Sequence, residues 1–169
     1  RFHKRYTDGS EEARIFARPQ ALLSEAETVL GLDGKKMSKS RGNTIEIGMS
    51  ADETAQRIRK AVTDSDRHIT YDPVNRPEVA NLLLLTALAS GRDPQELAAE
   101  IGDGGGGALK KMTTEAINEH FAPIRARRAE YAQNPQYLEE ILQRGVEKAR
   151  EQAQATLGQV HRALNMVYF

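Results

Sequence analysis

The apolar residues of the C-terminal stretch of the chain recur every three or four positions, which is the spacing of one face of an α-helix. At 3.6 residues per turn the stripe continues for about six turns. Its members are Leu142, Val146, Ala149, Ala153, Leu157, Val160 and Leu164. Asn134 and Pro135 precede the stripe and have the character of an N-cap and a first helical residue. The pattern predicts one long amphipathic helix at the end of the chain.

Start and stop signals predict three further helices in the middle of the chain. Ser50 and, three residues later, Glu53 have the spacing of a capping box. Asn75 and Pro77 begin a second helix, which Gly91 ends. Asp93 begins a third, shorter helix. The middle of the chain is therefore expected to be all helical.

A run of glycine separates these helices from the last part of the chain. It extends from Gly104 to Gly107, and its freedom of backbone rotation predicts a flexible loop. A helix is expected to follow from Ala108 to about Asn134. We expect an interruption or a kink at Pro123, because proline has no N–H to donate to the helix.

The chain before residue 48 follows a different pattern. Residues 44–47 alternate between polar and apolar side chains, which favours a short strand. The change predicts two domains in a chain that is mainly α, with a short mixed α/β piece at residues 1–48 and an all-helical region at residues 49–169. Because residues 1–48 are too few to bury a core of their own, we expect them to pack on the helices or on a segment outside this sequence.

The amino-acid composition limits which partners, metal sites and cellular locations are plausible for this protein. The 169 residues include 24 Lys and Arg against 24 Asp and Glu, so bulk charge does not indicate a nucleic-acid partner. The absence of cysteine excludes a disulfide framework, a thiol nucleophile and a cysteine-based zinc site. The histidines have no zinc-ligand spacing, and no apolar run is long enough to span a bilayer. We therefore expect no metal site, no membrane contact and a cytoplasmic location.

One short basic segment has the residue types that bind phosphates. Lys36 and Lys39 lie three positions apart, Ser38 and Ser40 add small donors, and glycines stand on both sides. Lysine is a compact charge on a flexible stem, so this loop can place two ammonium groups and several N–H donors on a triphosphate. The flanking glycines allow it to close and to open again. For a generic loop of this composition the commoner interpretation is a solvated basic turn.

A resemblance to a known family argues against the interpretation as a solvated basic turn. Residues 36–40 read Lys-Met-Ser-Lys-Ser, which is the KMSKS signature of the class I aminoacyl-tRNA synthetases. The flanking residues, Gly-Leu-Asp-Gly before the signature and Arg-Gly-Asn-Thr-Ile after it, resemble the tryptophanyl and tyrosyl members of that class. Four further segments resemble the tryptophanyl-tRNA synthetases, and the likeness covers roughly residues 15–165. These segments are residues 19–23, 61–65, 71–73 and 75–83.

The resemblance implies a fold and a function. Residues 1–48 would be the end of a Rossmann-type catalytic domain that includes the KMSKS loop, and residues 49–169 would be a helical anticodon-binding domain. The enzyme would use ATP, with Mg²⁺, to convert tryptophan to its adenylate and would transfer it to tRNA-Trp. The members of this family are homodimers. A tyrosyl-tRNA synthetase is the close alternative, although the region after residue 60 fits the tryptophanyl members better.

The resemblance also assigns roles to the signature residues. Lys36 and Lys39 would be catalytic, because they would stabilise the negative charge that develops on the departing pyrophosphate. ATP would be bound by Lys36, Met37, Ser38, Lys39 and Ser40 together. Class I enzymes also carry a HIGH-type motif, and none of the four histidines lies in such a context. We therefore expect this chain to be the C-terminal portion of the enzyme and to be inactive by itself.

Basic residues of the late helices are candidates for tRNA contact. Arg125, Arg127 and Arg128 would position anticodon phosphates, while stacking and hydrogen bonds would read the bases. The plainer interpretation is a solvated face of mixed charge, because glutamates are interleaved. A different class of function also stays open, namely a non-catalytic helical module that binds tRNA or a protein. The intact KMSKS loop argues against it, because a pure binder does not need to stabilise pyrophosphate.

Two polar features outside the loop have structural interpretations. Residues 63–65, Thr-Asp-Ser, are expected to form the turn that ends a helix and positions the next segment. His68 lies beside Asp66 and Arg67 and is expected to make a surface or interdomain contact instead of serving as a catalytic base.

Overall fold

The structure, a computed structural model, describes residues 1–23 and 28–166, and within them six α-helices form. These are α1 (Phe2–Tyr6), α2 (Ala51–Arg59), α3 (Pro77–Ser90), α4 (Pro94–Ile101), α5 (Gly105–Ala132) and α6 (Pro135–Ala163). Short 3₁₀ turns cover Lys39–Arg41 and Gly102–Gly104. In the described ranges the only β-pairing is an isolated antiparallel bridge between Leu30 and Lys36. The prediction of a mainly α chain is confirmed.

The chain forms two compact units, each of which we describe by itself. The loop unit comprises residues 23–130, and the terminal unit comprises residues 1–22 and 131–169. The predicted division near residue 48 separates a short mixed α/β piece, the end of a catalytic domain, from an all-helical anticodon-binding domain. It stays a prediction.

The predicted capping box begins α2. The Ser50 hydroxyl accepts from the backbone N–H of Glu53 at 3.2 Å, and the Glu53 carboxylate accepts from the N–H of Ser50 at 2.8 Å. Two donors that a helix start leaves unpaired are thereby satisfied. Within the loop unit, the side chains of α2 that are buried are those of Thr54 and Ile58.

The core of the loop unit is built on α3. Pro77 is its first residue, and Gly91 ends it in the left-handed conformation with a φ of 70°. Asp93 then caps α4 by accepting from the N–H groups of Gln95 and Glu96. All three signals were predicted. The apolar core cluster consists of Ala61, Ile69, Val79, Leu82, Leu83, Ala87, Leu97, Ala98 and Leu109.

The glycine run is not a flexible loop, so that prediction is wrong. The helix α5 already begins at Gly105, and it continues through Pro123 without ending there. A Cβ at Gly106 would lie 2.8 Å from the hydroxyl oxygen of Thr63. The glycine therefore allows the first turn of α5 to approach the segment after α2, which is a packing role and not a source of mobility.

The predicted strand at residues 44–47 does not form. A strand needs a neighbour to complete its ladder. Among the described residues, the backbone bond of residues 44–47 is a local one, from the Met49 N–H to the Glu46 carbonyl at 3.0 Å. The bond from the neighbouring Leu32 N–H reaches the carbonyl of Asn43 at 3.0 Å and not the predicted strand. Thr44 is buried whereas Ile47 is 52% exposed, so burial in this irregular segment does not follow the alternation of polar and apolar residues.

The terminal unit is organised around α6. The Asn134 side chain accepts from the N–H of Tyr137 at 3.1 Å, which confirms the predicted cap. The predicted helix is therefore confirmed, but none of its residues is buried, and Leu142 in the stripe is 69% exposed. Aromatic rings pack against each other in each of the two stretches of chain of this unit. Phe2 and Phe16 meet edge to face, and Tyr131 and Tyr137 are stacked.

No helix within residues 1–23 and 28–166 combines the length and the apolar character that crossing a lipid bilayer requires.

Candidate functional site

The KMSKS loop is the segment from residue 29 to residue 43, and a short pairing of its own backbone begins it. Residues 29–31 lie antiparallel to residues 35–37. The contacts are the Leu30–Lys36 bridge, Gly31 N–H to Lys35 O at 2.6 Å and Met37 N–H to Val29 O at 3.2 Å. Gly34 lies in the turn between them with a φ of 75°, a conformation that favours glycine. The pairing places Lys36 at a fixed point of the backbone with its side chain exposed.

A buried amide on α3 anchors the loop to the core. Asn81 is 7% exposed, its Oδ1 accepts from the Leu30 N–H at 3.0 Å, and its Nδ2 donates to the Leu30 carbonyl at 3.0 Å. The side chain thus replaces the hydrogen bonds that a neighbouring strand would make. The first arm of the loop is therefore fixed to the most buried helix of the unit.

The second half of the signature forms a 3₁₀ turn. Lys39 is its first residue, and Gly42 ends it in the left-handed conformation with a φ of 65°. The hydroxyls of Ser38 and Ser40 hydrogen-bond each other at 2.8 Å. Among residues 1–23 and 28–166, neither Lys36 nor Lys39 takes part in a salt bridge. Both ammonium groups are exposed and available to an anion.

Asn43 ties the loop together from inside, and its role could not be assigned from residue type alone. It is 5% exposed and hydrogen-bonds the backbone of Lys36 and Ser38 and the carboxylate of Asp33. The bond from Asn43, followed by one from the Lys35 N–H, holds the pKa of the Asp33 carboxyl below its usual range. The only sequence signal was an amide directly after the glycine that ends the basic segment.

Met37 lines an apolar pocket of about 260 Å³ beneath the loop. Its neighbours there are Val29 and Ile45 of the loop region and residues of α3 and α5, including Leu85 and Phe121. The side chain therefore has an apolar environment within the protein. The contact between Met37 and a nucleotide stays a prediction.

A second pocket, of about 430 Å³, adjoins the far end of the loop. Arg41, Arg57 and Lys60 line it together with Asp33 and Asn43. Arg57 also donates to the carbonyl of Gly42, which links the end of α2 to the end of the 3₁₀ turn. The last turn of α2 therefore adds positive charge next to the two signature lysines, a contribution that the sequence pattern did not indicate.

In the segment from residue 64 to residue 76, all side-chain N–H groups of one arginine donate to acceptors of the protein. Arg76 makes a paired contact with the Asp64 carboxylate, with two bonds of 2.7 Å, and its side chain is 12% exposed. It also donates to the carbonyls of Asp66 and His68 and to the Thr70 hydroxyl. The Arg76 hydrogen bond holds the pKa of Asp64 below its usual range. The turn thus positions the chain before α3, as predicted, but it does not end α2, because that helix already ends at Arg59.

His68 lies on the surface of the same segment. Its Nδ1 is 2.7 Å from a carboxylate oxygen of Asp103 in the turn before α5, and both side chains are largely exposed. The contact lies at the surface, as the sequence predicted for His68.

The three arginines proposed for tRNA contact differ in environment. Arg125 donates to the Thr54 hydroxyl and to the Asn118 side chain, each at 2.9 Å, and so joins α5 to α2. Arg127 and Arg128 are exposed. A tRNA contact by Arg125 would compete with these internal bonds, whereas the other two are open to solvent. All three contacts stay predictions.

Comparisons with known proteins identify the family of the chain. Residues 1–122 match the family model described as tRNA synthetases class I (W and Y). The match covers well over half of the chain, and the chain belongs to this family of class I tRNA synthetases.

Particular relatives are tryptophan enzymes. The chain is 36% identical to tryptophan–tRNA ligase 1 of Streptomyces coelicolor, over 99% of this chain and 49% of the relative. It is 33% identical to the chloroplastic/mitochondrial tryptophan–tRNA ligase of Arabidopsis thaliana, over 92% of this chain and 40% of the relative. The tryptophanyl-tRNA synthetase of Campylobacter jejuni, solved with ADP and tryptophan, matches with a TM-score of 0.67 and 32% identity, over 89% of this chain and 48% of that one. The chain thus spans about half the length of the relatives it matches, or less.

Proposed function

We propose that this chain is the C-terminal portion of a tryptophan–tRNA ligase and supplies the KMSKS loop of its active site. The whole enzyme activates tryptophan with ATP, as its magnesium complex, and transfers the tryptophanyl group to tRNA-Trp. One observation carries the proposal. Two exposed lysines, without a salt bridge to any described residue, project from a loop whose backbone is fixed from inside by Asn43 and Asn81.

The proposed chemistry explains why the lysines stay free. The tryptophan carboxylate attacks the α-phosphorus of ATP, the bond to the bridging oxygen breaks, and pyrophosphate leaves with the negative charge. Lys36 and Lys39 stabilise that charge where it develops, which lowers the barrier more than it strengthens ATP binding. Ser38, Ser40 and the backbone of Met37 complete the ATP contact. The cationic pocket of Arg41, Arg57 and Lys60 reinforces the positive potential beside the loop.

The domain assignment is part of the same proposal. Residues 1–48 are the end of a Rossmann-type catalytic domain, and residues 49–169 are an anticodon-binding domain. The exposure of Arg127 and Arg128 on α5 supports a phosphate contact in that region. The enzyme acts as a homodimer, as the resemblance implies, and in the cytoplasm, as the composition led us to expect. Its HIGH-type motif lies in the half that this chain does not span.

The test is ATP–pyrophosphate exchange by the full-length protein with tryptophan, with tyrosine and without an amino acid. We expect exchange with tryptophan alone. Exchange with tyrosine alone would keep the class and overturn the substrate. A well-folded full-length protein that exchanges with neither amino acid would instead favour a non-catalytic tRNA-binding or protein-binding module.

A further inference from the structure

We propose that Asn43 is a positioning residue for the release of pyrophosphate, because its side-chain amide fixes the backbone from which Lys36 and Lys39 project. We call its three hydrogen bonds, to Asp33, Lys36 and Ser38, the amide clasp. This inference rests on the proposed function. It concerns a residue outside the five-residue signature.

The clasp spans the signature. The Oδ1 of Asn43 accepts from the Ser38 N–H at 2.8 Å, and its Nδ2 donates to the Lys36 carbonyl at 3.2 Å. The second proton of Nδ2 goes to the Asp33 carboxylate at 2.7 Å. One amide thus connects the residues on both sides of Met37 to the turn that precedes the signature. Both of its N–H donors are used.

The backbone of the same residue closes a ring. The carbonyl of Asn43 accepts from the Leu32 N–H at 3.0 Å, so residues 32 and 43 are joined while the side chain joins the interior. These cross-bonds hold residues 32–43 in one arrangement relative to each other. They thereby set the directions in which the two lysines leave the backbone.

The surroundings of Asn43 are built for this contact. The residue is 5% exposed, and a Cβ on Gly31 would lie 2.2 Å from its Nδ2. The amide is thus seated against a glycine backbone, and a side chain at position 31 would displace it. Because water has little access, a donor or acceptor that loses its partner here is left unsatisfied, which costs more than the same loss at the surface.

The clasp affects the transition state more than ATP binding. A lysine is a flexible point charge and can find a triphosphate from several backbone directions, so ground-state binding tolerates a loosened loop. Stabilisation of the leaving group requires the ammonium groups to be placed before the bond breaks. Loss of the clasp should therefore lower kcat and change the KM for ATP much less.

The test uses Asn43→Asp in the full-length protein. The variant keeps an acceptor for the Ser38 N–H, loses the donors to Lys36 and Asp33, and brings two carboxylates together. We expect kcat of tryptophan-dependent exchange to fall at least about tenfold, as the loss of two hydrogen bonds of a buried amide allows, while the KM for ATP changes less than about threefold.

A charge-conserving exchange supplies the rescue. In the double variant Asp33→Asn with Asn43→Asp, the amide and the carboxylate trade places, so the bond between them re-forms with reversed polarity. We expect it to recover at least half of the lost kcat on a logarithmic scale, a coupling that independent sites would not show. Asp33→Ala removes one arm of the clasp at an exposed position, and it gives the same readout if Asn43→Asp fails to fold.

The matched control is Asn75→Asp. Asn75 also donates to an aspartate carboxylate at 2.7 Å, that of Asp72, but it is exposed and outside the loop. Its kcat should stay within about twofold of wild type, as for a surface change. Absence of exchange in the wild-type protein would refute the proposed function itself. An active wild type with unchanged kcat in both Asn43→Asp and Asp33→Ala, or equal losses in Asn43→Asp and the double variant, would overturn the clasp alone.

Discussion

Two irregular segments of the loop unit carry cations and use them in opposite ways. In the KMSKS loop, Lys36 and Lys39 are exposed, and no described carboxylate pairs with them. In the segment from residue 64 to residue 76, Arg76 is 12% exposed and donates to acceptors with all of its N–H groups. A guanidinium that is satisfied internally holds the chain, whereas an ammonium group left free can serve a ligand. The choice of Arg and Lys follows the same division.

The largest effect is expected in the loop. Lys36→Ala and Lys39→Ala should each lower kcat for pyrophosphate exchange by about 10²–10³, the loss typical of removing one group that stabilises developing charge. The free energy of unfolding should hardly change, because exposed side chains are removed. Exchange kinetics and urea denaturation of the full-length protein measure the two quantities.

Lys35 provides the matched control for these variants. Its side chain is exposed next to the signature, and its structural contacts come from its backbone. Lys35→Ala should keep kcat within about threefold of wild type, as surface substitutions do. A loss as large as that of Lys36→Ala would mean that only the summed charge of the loop matters.

The guanidinium of the second segment should show the reverse behaviour. Arg76→Lys removes the paired contact with Asp64 and should lower the free energy of unfolding by about 1–3 kcal/mol. The kcat for exchange should stay within about twofold at temperatures where the variant is folded, because the residue holds the chain and touches no substrate. An active-site defect without a stability loss would contradict the division between the two segments.

A smaller effect is expected where α5 packs on Thr63, just before this segment. A Cβ added at Gly107 would meet no atom within 4 Å, so Gly107→Ala should stabilise the protein by about 0.5–1 kcal/mol through helix propensity. Gly106→Ala gains the same propensity but meets the Thr63 hydroxyl at 2.8 Å. It should be less stable than Gly107→Ala in urea denaturation. Equal stabilisation of both would show that the approach of α5 to Thr63 is loose.

The smallest effect concerns pH. The pKa of Asp64 is lowered in the folded protein by its bond to Arg76, so the unfolded chain binds the proton more readily. The contribution of the pair is complete above the unfolded pKa of about 3.9 and is lost as the pH falls through the lower folded value. Between pH 6 and pH 3, the free energy of unfolding should therefore fall less in Asp64→Asn than in wild type. Urea denaturation at the two pH values measures this difference. Parallel pH profiles would exclude the pair as a source of acid sensitivity.

Local signals predicted the elements well, and contacts between distant residues escaped them. The cap at Ser50, the Pro77 and Gly91 ends of α3 and the Asn134 cap depend on neighbours within four residues, so the sequence contains them directly. The glycine run failed as a prediction because its reason, the approach to Thr63, lies far away in the chain. The strand at residues 44–47 failed because alternation does not supply a pairing partner.

The candidate site divides in the same way. The signature named the lysines and serines, since these side chains are adjacent and their chemistry is apparent from residue type. It did not name Asn43, Asn81 or Arg57, whose importance lies in what they contact across the fold. An amide is a common residue at the end of a turn, and only burial and three partners distinguish Asn43 from the exposed Asn75.

The most direct test of the account is the single-turnover rate of tryptophanyl-adenylate formation by full-length Lys39→Ala, measured across ATP concentrations. This experiment separates ATP affinity from the step in which pyrophosphate leaves. We predict that the rate at saturating ATP falls by about 10²-fold or more while the Kd for ATP changes by less than about threefold. A normal rate at saturation, with the whole loss in ATP affinity, would contradict the claim that the free lysines of the loop act on the transition state.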